Sequence, residues 1–212
     1  MAGLLWKDLL YIKKIWKTIA LFSIFFAVFG FIQGDFSNLL FLYIIIEGNF
    51  SMLPFTYDNY SKWNSYQYAF PVSKKTVVCS RYLFGMVLFG SCLFLGILVI
   101  VLHEIEVILT GATKVPIGID YISANLLPAF FVPIIQSVSF PFLYYFGAEK
   151  GKVYIVCSIS ALAAIITILG IQIRYSLPYY MTYHFVLACV AVVTVILYSL
   201  SLLLSIWIEE RK

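Results

Sequence analysis

Long apolar runs separated by short polar stretches dominate this sequence. A membrane-spanning helix needs about 20 mainly apolar residues, and each run approaches or exceeds that length. The pattern predicts six spans, which lie at about 18–34, 38–56, 82–103, 124–147, 153–173 and 184–207. We therefore expect an all-α membrane protein in which residues 1–212 form one transmembrane domain.

The segment before the first predicted span, residues 3–17, has an amphipathic pattern. Four apolar residues share one helical face: Leu5, Leu9, Ile12 and Trp16. Four lysines share the other: Lys7, Lys13, Lys14 and Lys17. Lysines directed to anionic headgroups, with a tryptophan at the boundary, are typical of an interfacial helix. The pattern predicts an elbow helix that anchors the chain and leads into the first span.

The basic residues predict the orientation of the chain. With the N-terminus in the cytoplasm, only Lys114 and Arg174 of the 14 lysines and arginines would face outward. This is a strong positive-inside bias. An even number of spans also returns the basic C-terminus to the cytoplasm, so the charges support six spans. We expect a multi-pass protein of the cell membrane with both termini cytoplasmic.

Composition excludes several classes of function. Hydrophobic residues make up 63% of the chain and charged residues only 11%, whereas soluble domains have about 25% charged residues. An ordinary soluble enzyme and a nucleic-acid-binding domain are therefore excluded. Residues 147–152 lack the spacing of a phosphate-binding loop, so we expect no nucleotide or other cofactor on this chain. His103 and His184 have no third ligand in the sequence pattern, and we expect no metal site.

The predicted cytoplasmic loop between spans two and three differs from the other connections. It has more than twenty residues, whereas about four would connect two spans. Aromatic side chains beside lysines are typical of a protein-contact surface. The pattern predicts a short surface helix from Asp58 to Trp63, with Trp63 and Tyr66 facing a partner or lipid. Pro71 should end any preceding helix, and Ser73 should cap a helix that starts at Lys74.

The residues of this loop resemble the ABC-2-type transporter permeases of bacteria. The resemblance rests on Phe55, Asp58, Lys62, Trp63, Tyr66, Pro71, Val72, Ser73, Lys74, Lys75, Val78, Arg81 and Tyr82, and on the segment 140–151. It is strongest to small permeases of Gram-positive bacteria, including those that export phenol-soluble modulins and other amphipathic peptides. It covers essentially the whole chain.

The resemblance implies the membrane half of an ATP-binding-cassette exporter in a bacterial cell membrane. A coupling helix within residues 55–76 would dock on a separate cytoplasmic ATPase, which would hold ATP and Mg. A second permease copy or paralogue would complete a dimer, and the substrate would be an amphipathic peptide or another hydrophobic molecule. A short reentrant outer segment would correspond to residues 176–184.

The resemblance also assigns candidate residues to the coupling region. The ATPase-coupling candidates are Asp58, Lys62, Trp63, Tyr66, Pro71, Lys74, Lys75 and Arg81. A second cytoplasmic turn contains Glu149, Lys150 and Lys152.

Two polar residues inside predicted spans are candidates for the translocation path. Glu47 is an acid in the middle of span two, where it either contacts substrate or protons or makes a structural hydrogen bond. Gln136 lies in span four among prolines, where packing is the alternative to a moving, kinked helix. Two other functions compete with export: a bacteriocin-immunity or sensory protein, and an intramembrane enzyme. An enzyme would need an acid and a histidine together in the spans, and Glu47 has no histidine near it.

Overall fold

The regular structure of the chain is entirely helical in the residues that the structure describes. A computed structural model describes residues 2–33, 37–66, 72–110, 119–176 and 183–211. The helices are α1 (Ala2–Gln33), α2 (Ser37–Tyr60), α3 (Trp63–Tyr66), α4 (Lys74–Thr110), α5 (Ile119–Leu126), α6 (Phe131–Ser176) and α7 (Tyr183–Arg211). A 3-10 turn at Leu127–Phe130 joins α5 to α6. The predicted all-α class is confirmed for these ranges.

Three described segments are long and apolar enough to cross a membrane. They are Lys74–Leu109, Tyr121–Gly151 and Phe185–Arg211. They coincide with the third, fourth and sixth predicted spans. The other predicted spans lie in α1, α2 and the second half of α6, and the total of six stays a prediction.

Helix α1 joins the segment predicted as an elbow to the segment predicted as the first span, and the elbow stays a prediction. It is one continuous helix of 32 residues, which corresponds to a length of about 48 Å. Trp6 and Leu10 are exposed, whereas Asp8 is buried and Lys7 is half-buried against the bundle. Lys7 therefore does not share the outward position predicted for the lysines. The reason is the buried carboxylate of Asp58 on α2, to which Lys7 donates. A helical projection of residues 3–17 cannot reveal this partner.

Gly147 breaks α6 and reverses the direction of the chain. Its φ of 79° and ψ of 173° are non-helical, in a region that is essentially restricted to glycine. Across the break, the ring of Phe146 stacks on that of Tyr154, with centroids 4.3 Å apart. A Cβ on Gly151 would lie 3.4 Å from the Cα of Leu143. Such proximity requires a helical hairpin, which matches the turn predicted between spans four and five.

The start of α4 confirms the predicted cap. The backbone N–H of Thr76 donates to Ser73 Oγ at 3.2 Å, and α4 begins at Lys74. A serine that accepts from the first turn satisfies a donor that has no partner within the helix. Upstream, α2 continues through Asp58 to Tyr60, so the short surface helix is α3 and not the predicted Asp58–Trp63 segment. Lys62 reverses the chain between α2 and α3 with a φ of 54°.

Two outer regions lie partly outside the described residues. The connection between the third and fourth predicted spans begins within α4, which continues to Thr110, and residues 111–118 are not described. Of the predicted reentrant segment 176–184, residues 177–182 are not described.

Two apolar clusters hold the described helices together. One contains Val78, Tyr82, Phe140, Leu143, Tyr144, Ile155 and Tyr198, and joins α4, both halves of α6 and α7. The other contains Ile44, Cys92, Ala129 and Val132, and joins α2 and α4 to the start of α6. Between helices that lie in a membrane, such clusters stabilise the bundle by van der Waals packing, because lipid tails are as apolar as these side chains.

Candidate functional site

Ends of several helices meet at one end of the bundle. Arg81 near the start of α4 contacts Asp8 near the start of α1 and Asp58 near the end of α2. Lys75 of α4 lies 3.2 Å from Glu210 at the end of α7. The cytoplasmic N-terminus, C-terminus and second loop predicted from the charges thus share one end. The side of the membrane that this end faces stays a prediction.

A buried cluster of four charges lies at this end, and we call Lys7, Asp8, Asp58 and Arg81 the ion cluster. Arg81 Nη1 is 2.6 Å from Asp8 Oδ1, and Arg81 Nη2 contacts Asp58 Oδ2. Lys7 Nζ donates to Asp58 Oδ1 at 2.7 Å. The side chains of Asp8 and Asp58 are only 1% and 3% exposed. Two cations therefore balance two buried anions, and three helices supply them.

Burial governs the electrostatics of the α1 members of the cluster. Burial raises the pKa of the Asp8 carboxyl, and the positive charges of Arg81 and Lys7 oppose this rise. Burial also lowers the pKa of Lys7, with the help of the Arg81 charge and against the hydrogen bond to Asp58. Both effects have the same origin, because a charge removed from water is costly unless it is paired. Any member of the cluster that lost its partner would therefore be costly.

Aromatic rings cover the two cations of the cluster. Lys7 Nζ lies 4.7 Å from the centroid of the Trp63 ring, and the Arg81 guanidinium carbon lies 5.3 Å from that of Phe55. A cation over an aromatic face is attracted to it by about 0.5–2 kcal/mol. Trp63 is the first residue of α3, so this contact ties the short helix directly to α1.

The predicted coupling residues separate into a buried and an exposed group. Asp58 and Arg81 are buried in the ion cluster, and Trp63 is half-buried against it. Exposed positions are occupied by Lys62, Tyr66 and Lys75, and Lys74 is half-exposed. Pro71 lies outside the described residues. The exposed group can contact a partner, whereas the buried group can hold α3 in place.

The predicted second turn follows the break at Gly147. Glu149 and Lys150 are exposed, and Lys152 lies on the same helical segment of α6. Because Gly151 packs against the preceding half of α6, this turn is held close to the end of the bundle.

Sequence reasoning missed Asp8, which contacts both Arg81 and Lys7. A signal for it exists in the sequence. Asp8 is the one acid in a segment whose other charged residues are lysines, and an acid there favours a partner within the protein over an anionic membrane surface.

A hydrogen-bonded seam joins α4 to α6 and α7 next to the ion cluster. The Tyr82 hydroxyl lies 2.6 Å from Ser201 Oγ and 2.8 Å from Ser205 Oγ. The Tyr198 hydroxyl donates to the Tyr82 carbonyl at 2.7 Å. Gln136 is fully buried in the same seam, where its Nε2 donates to the carbonyl of Gly85 at 3.3 Å. The structure thus gives Gln136 a helix-to-helix contact.

The other candidate for the translocation path lies further along α2. Glu47 is 5% exposed, and Ser91 Oγ of α4 is 2.5 Å from its Oε1. Glu47 and Asp58 are 11 positions apart on α2, which corresponds to about 16 Å along the axis. Glu47 therefore lies apart from the exposed coupling residues.

One family of known proteins matches almost the whole chain. The family model described as ABC-2 family transporter protein matches residues 3–210. Neither the search of curated proteins nor the search of solved structures found a match. The match covers every helix described above, including the ion cluster, the seam and α3. The chain belongs to the ABC-2 family of transporter proteins and is a membrane protein of that family.

Proposed function

We propose that this chain is the membrane permease of an ATP-binding-cassette exporter and moves an amphipathic peptide or another hydrophobic substrate out of the cytoplasm. The family supports association with a separate ATPase. In this proposal ATP and Mg belong to that partner, and the chain itself catalyses no reaction. Two permeases, either identical or paralogous, form the complete membrane unit.

The observation that carries the proposal is the connection of α3 to three helices. Trp63 lies over Lys7, and Lys7 pairs with Asp58, which contacts Arg81. A force applied to α3 therefore reaches α1, α2 and α4 through one cluster of buried, paired charges. Such a cluster resists separation because each ion left unpaired would be costly. This arrangement suits a docking helix that transmits the motion of an ATPase.

The exposed residues of the α2–α3 junction form the proposed docking surface. Tyr60 is 75% exposed and Tyr66 is 62% exposed. Lys62 is exposed between them. Aromatic residues and cations on a short surface helix are frequent anchors in protein interfaces. We assign Lys62 and Tyr66 to direct contact with the ATPase, and Asp58, Arg81 and Trp63 to positioning that surface.

Co-purification of the tagged chain from its native membrane tests the proposal. We expect a stoichiometric subunit with a phosphate-loop ATPase sequence to elute with it. The double variant Lys62→Glu with Tyr66→Ala should release this subunit and leave the permease folded. Tyr145→Ala is the matched control, because Tyr145 is 63% exposed but belongs to α6. Elution of the chain alone, even after crosslinking, would contradict the proposal, and retention by the double variant would contradict the docking surface.

The substrate class needs its own experiment. The complex in proteoliposomes should accumulate a fluorescent amphipathic helical peptide when ATP is supplied on the ATPase side. A scrambled peptide of equal composition without an amphipathic face is the control. Equal transport of both peptides, or of neither, would argue against selection of amphipathic peptides.

A further inference from the structure

Glu47 is a buried acid within the helix bundle. Part of its surroundings is apolar, since Ile44 belongs to a buried apolar cluster and a Cβ on Gly48 would contact Ile135 at 3.9 Å. Within the described part of the chain, no lysine or arginine lies in ion-pair contact with Glu47, because the ion pairs there join other acids, namely Asp8, Asp58 and Glu210, to Lys7, Lys75 and Arg81. A buried carboxylate without a cation partner is costly.

The hydrogen bonds of Ser91 fix where a proton must be. Ser91 Oγ lies 2.5 Å from Glu47 Oε1 and 2.7 Å from the Leu88 carbonyl oxygen. A serine hydroxyl has one proton and can donate it only once in a full hydrogen bond. If Glu47 were ionised, one of these two short oxygen–oxygen contacts would lack a proton. If Glu47 is a carboxylic acid, its Oε1–H donates to Ser91 Oγ, and Ser91 donates to Leu88.

The second carboxyl oxygen supports the same protonation state. Glu47 Oε2 is buried and accepts no hydrogen bond from the described residues. A carboxylate would spread its charge over both oxygens and would need donors at each. The carbonyl oxygen of a neutral acid loses less when it has no donor. The polar groups that face Glu47 from α4 are the Ser91 hydroxyl and the neighbouring Cys92 thiol, and neither is a cation.

We infer that Glu47 is a proton-binding site of the permease, in which the carboxyl holds a proton and donates it to Ser91 while α2 packs against α4. Separation of α2 from α4 at this depth would remove the Ser91 acceptor and admit water or a cationic group. The acid would then lose its proton. Opening of this contact is therefore linked to proton release, and closure to proton uptake. The inference does not depend on the identity of the exported molecule.

Infrared difference spectroscopy of the full chain in lipid nanodiscs tests the inference. Labelling of glutamate with carbon-13 separates glutamate carboxyls from those of aspartate. At pH 7 we expect an acid C=O stretch that is present in the unaltered chain and absent from Glu47→Gln. The amide introduced by this substitution retains a donor for Ser91, so the fold should persist. Glu149→Gln is the control because Glu149 is exposed, and this variant should keep the acid band.

Ser91→Ala gives an independent readout that does not require removal of the acid. Loss of the hydrogen-bond acceptor should move the acid band to higher frequency without abolishing it. An ionised Glu47 would overturn the inference: Glu47→Gln would then remove a carboxylate band and leave the acid region unchanged. An acid band whose frequency is the same with and without Ser91 would overturn the assigned donor.

Discussion

Replacement of Arg81 by glutamine is the most direct perturbation of the ion cluster. The unaltered cluster contains two anions and two cations, so Arg81→Gln leaves a net charge of −1 among side chains that are almost fully buried. Lys7 would remain 2.7 Å from Asp58 but 3.8 Å from Asp8. Asp8 would therefore lose its closest partner.

The magnitude follows from the cost of a broken buried pair. Removing one partner of such a pair destabilises a protein by about 3–5 kcal/mol. The 24% exposure of the Lys7 side chain and the remaining Lys7 contacts favour the lower end of this range. For a chain of this size, each kcal/mol corresponds to a shift in Tm of about 2–4 °C. We expect Arg81→Gln to lower the Tm by roughly 6–12 °C.

Thermal unfolding in nanodiscs, followed by tryptophan fluorescence, measures this shift. The double variant Asp8→Asn with Arg81→Gln restores a neutral cluster and should recover more than half of the loss. Lys75→Gln is the control, because it breaks an ion pair whose side chains are 65% and 48% exposed, and exposed pairs contribute only about 0–1 kcal/mol. An equal Tm for Arg81→Gln and Lys75→Gln, or a double variant less stable than Arg81→Gln, would refute the reasoning.

Three further predictions concern the packing of the helices and use the same unfolding assay. In Gly85→Ala the new Cβ would lie 2.6 Å from the Tyr198 hydroxyl and 2.7 Å from Gln136 Oε1. We therefore expect the free energy of unfolding to fall by about 1–3 kcal/mol. Gly90→Ala on the same helix is the control, because its new Cβ meets no atom within 4 Å. This variant should be neutral or stabilising by up to about 1 kcal/mol. Equal effects of the two variants would contradict the close packing at Gly85. Gly147→Ala should destabilise the hairpin by about 1–3 kcal/mol through backbone strain alone, because no atom lies within 4 Å of its new Cβ, and an unchanged Tm would contradict the break. Tyr82→Phe should lower the free energy of unfolding by about 1 kcal/mol or more, because Ser201 and Ser205 lose their shared partner. In a variant with both serines replaced by alanine, the same tyrosine change should not lower this free energy further.

Local chemistry made some of these features predictable from the sequence. Ser73 and Lys74 predict the start of α4 because a cap depends on residues within one turn. The glycines and charged residues at 147–152 predict a turn, because a turn also depends on neighbouring residues. The structure places the break in the helix at Gly147. The apolar runs predict helices because membrane thickness imposes their length. In each case the cause lies within a few residues of the effect.

The ion cluster could not be predicted in this way. Asp8 and Arg81 are 73 positions apart, and their contact depends on how α1 packs against α4. The amphipathic pattern of residues 3–17 placed Lys7 with the outward lysines, because a helical projection contains no neighbouring helix. The pairing of Glu47 with Ser91 was equally hidden, since a sequence pattern does not say which residue of a neighbouring helix faces Glu47. Long-range partners of buried polar groups require the tertiary structure.

Because α1 is one continuous helix, a rotation about the ion cluster near its start moves its other end. The helix spans Ala2–Gln33, and Asp8 lies close to one of its ends. Rotation of a straight helix by about 5° about Asp8 would displace Gln33 by roughly 3 Å, since the 25 intervening rises amount to about 38 Å. An elbow would absorb such a rotation at its bend. A continuous helix carries it along its whole length, so a small angular change at the ion cluster becomes a displacement on the scale of a side chain at the far end of α1.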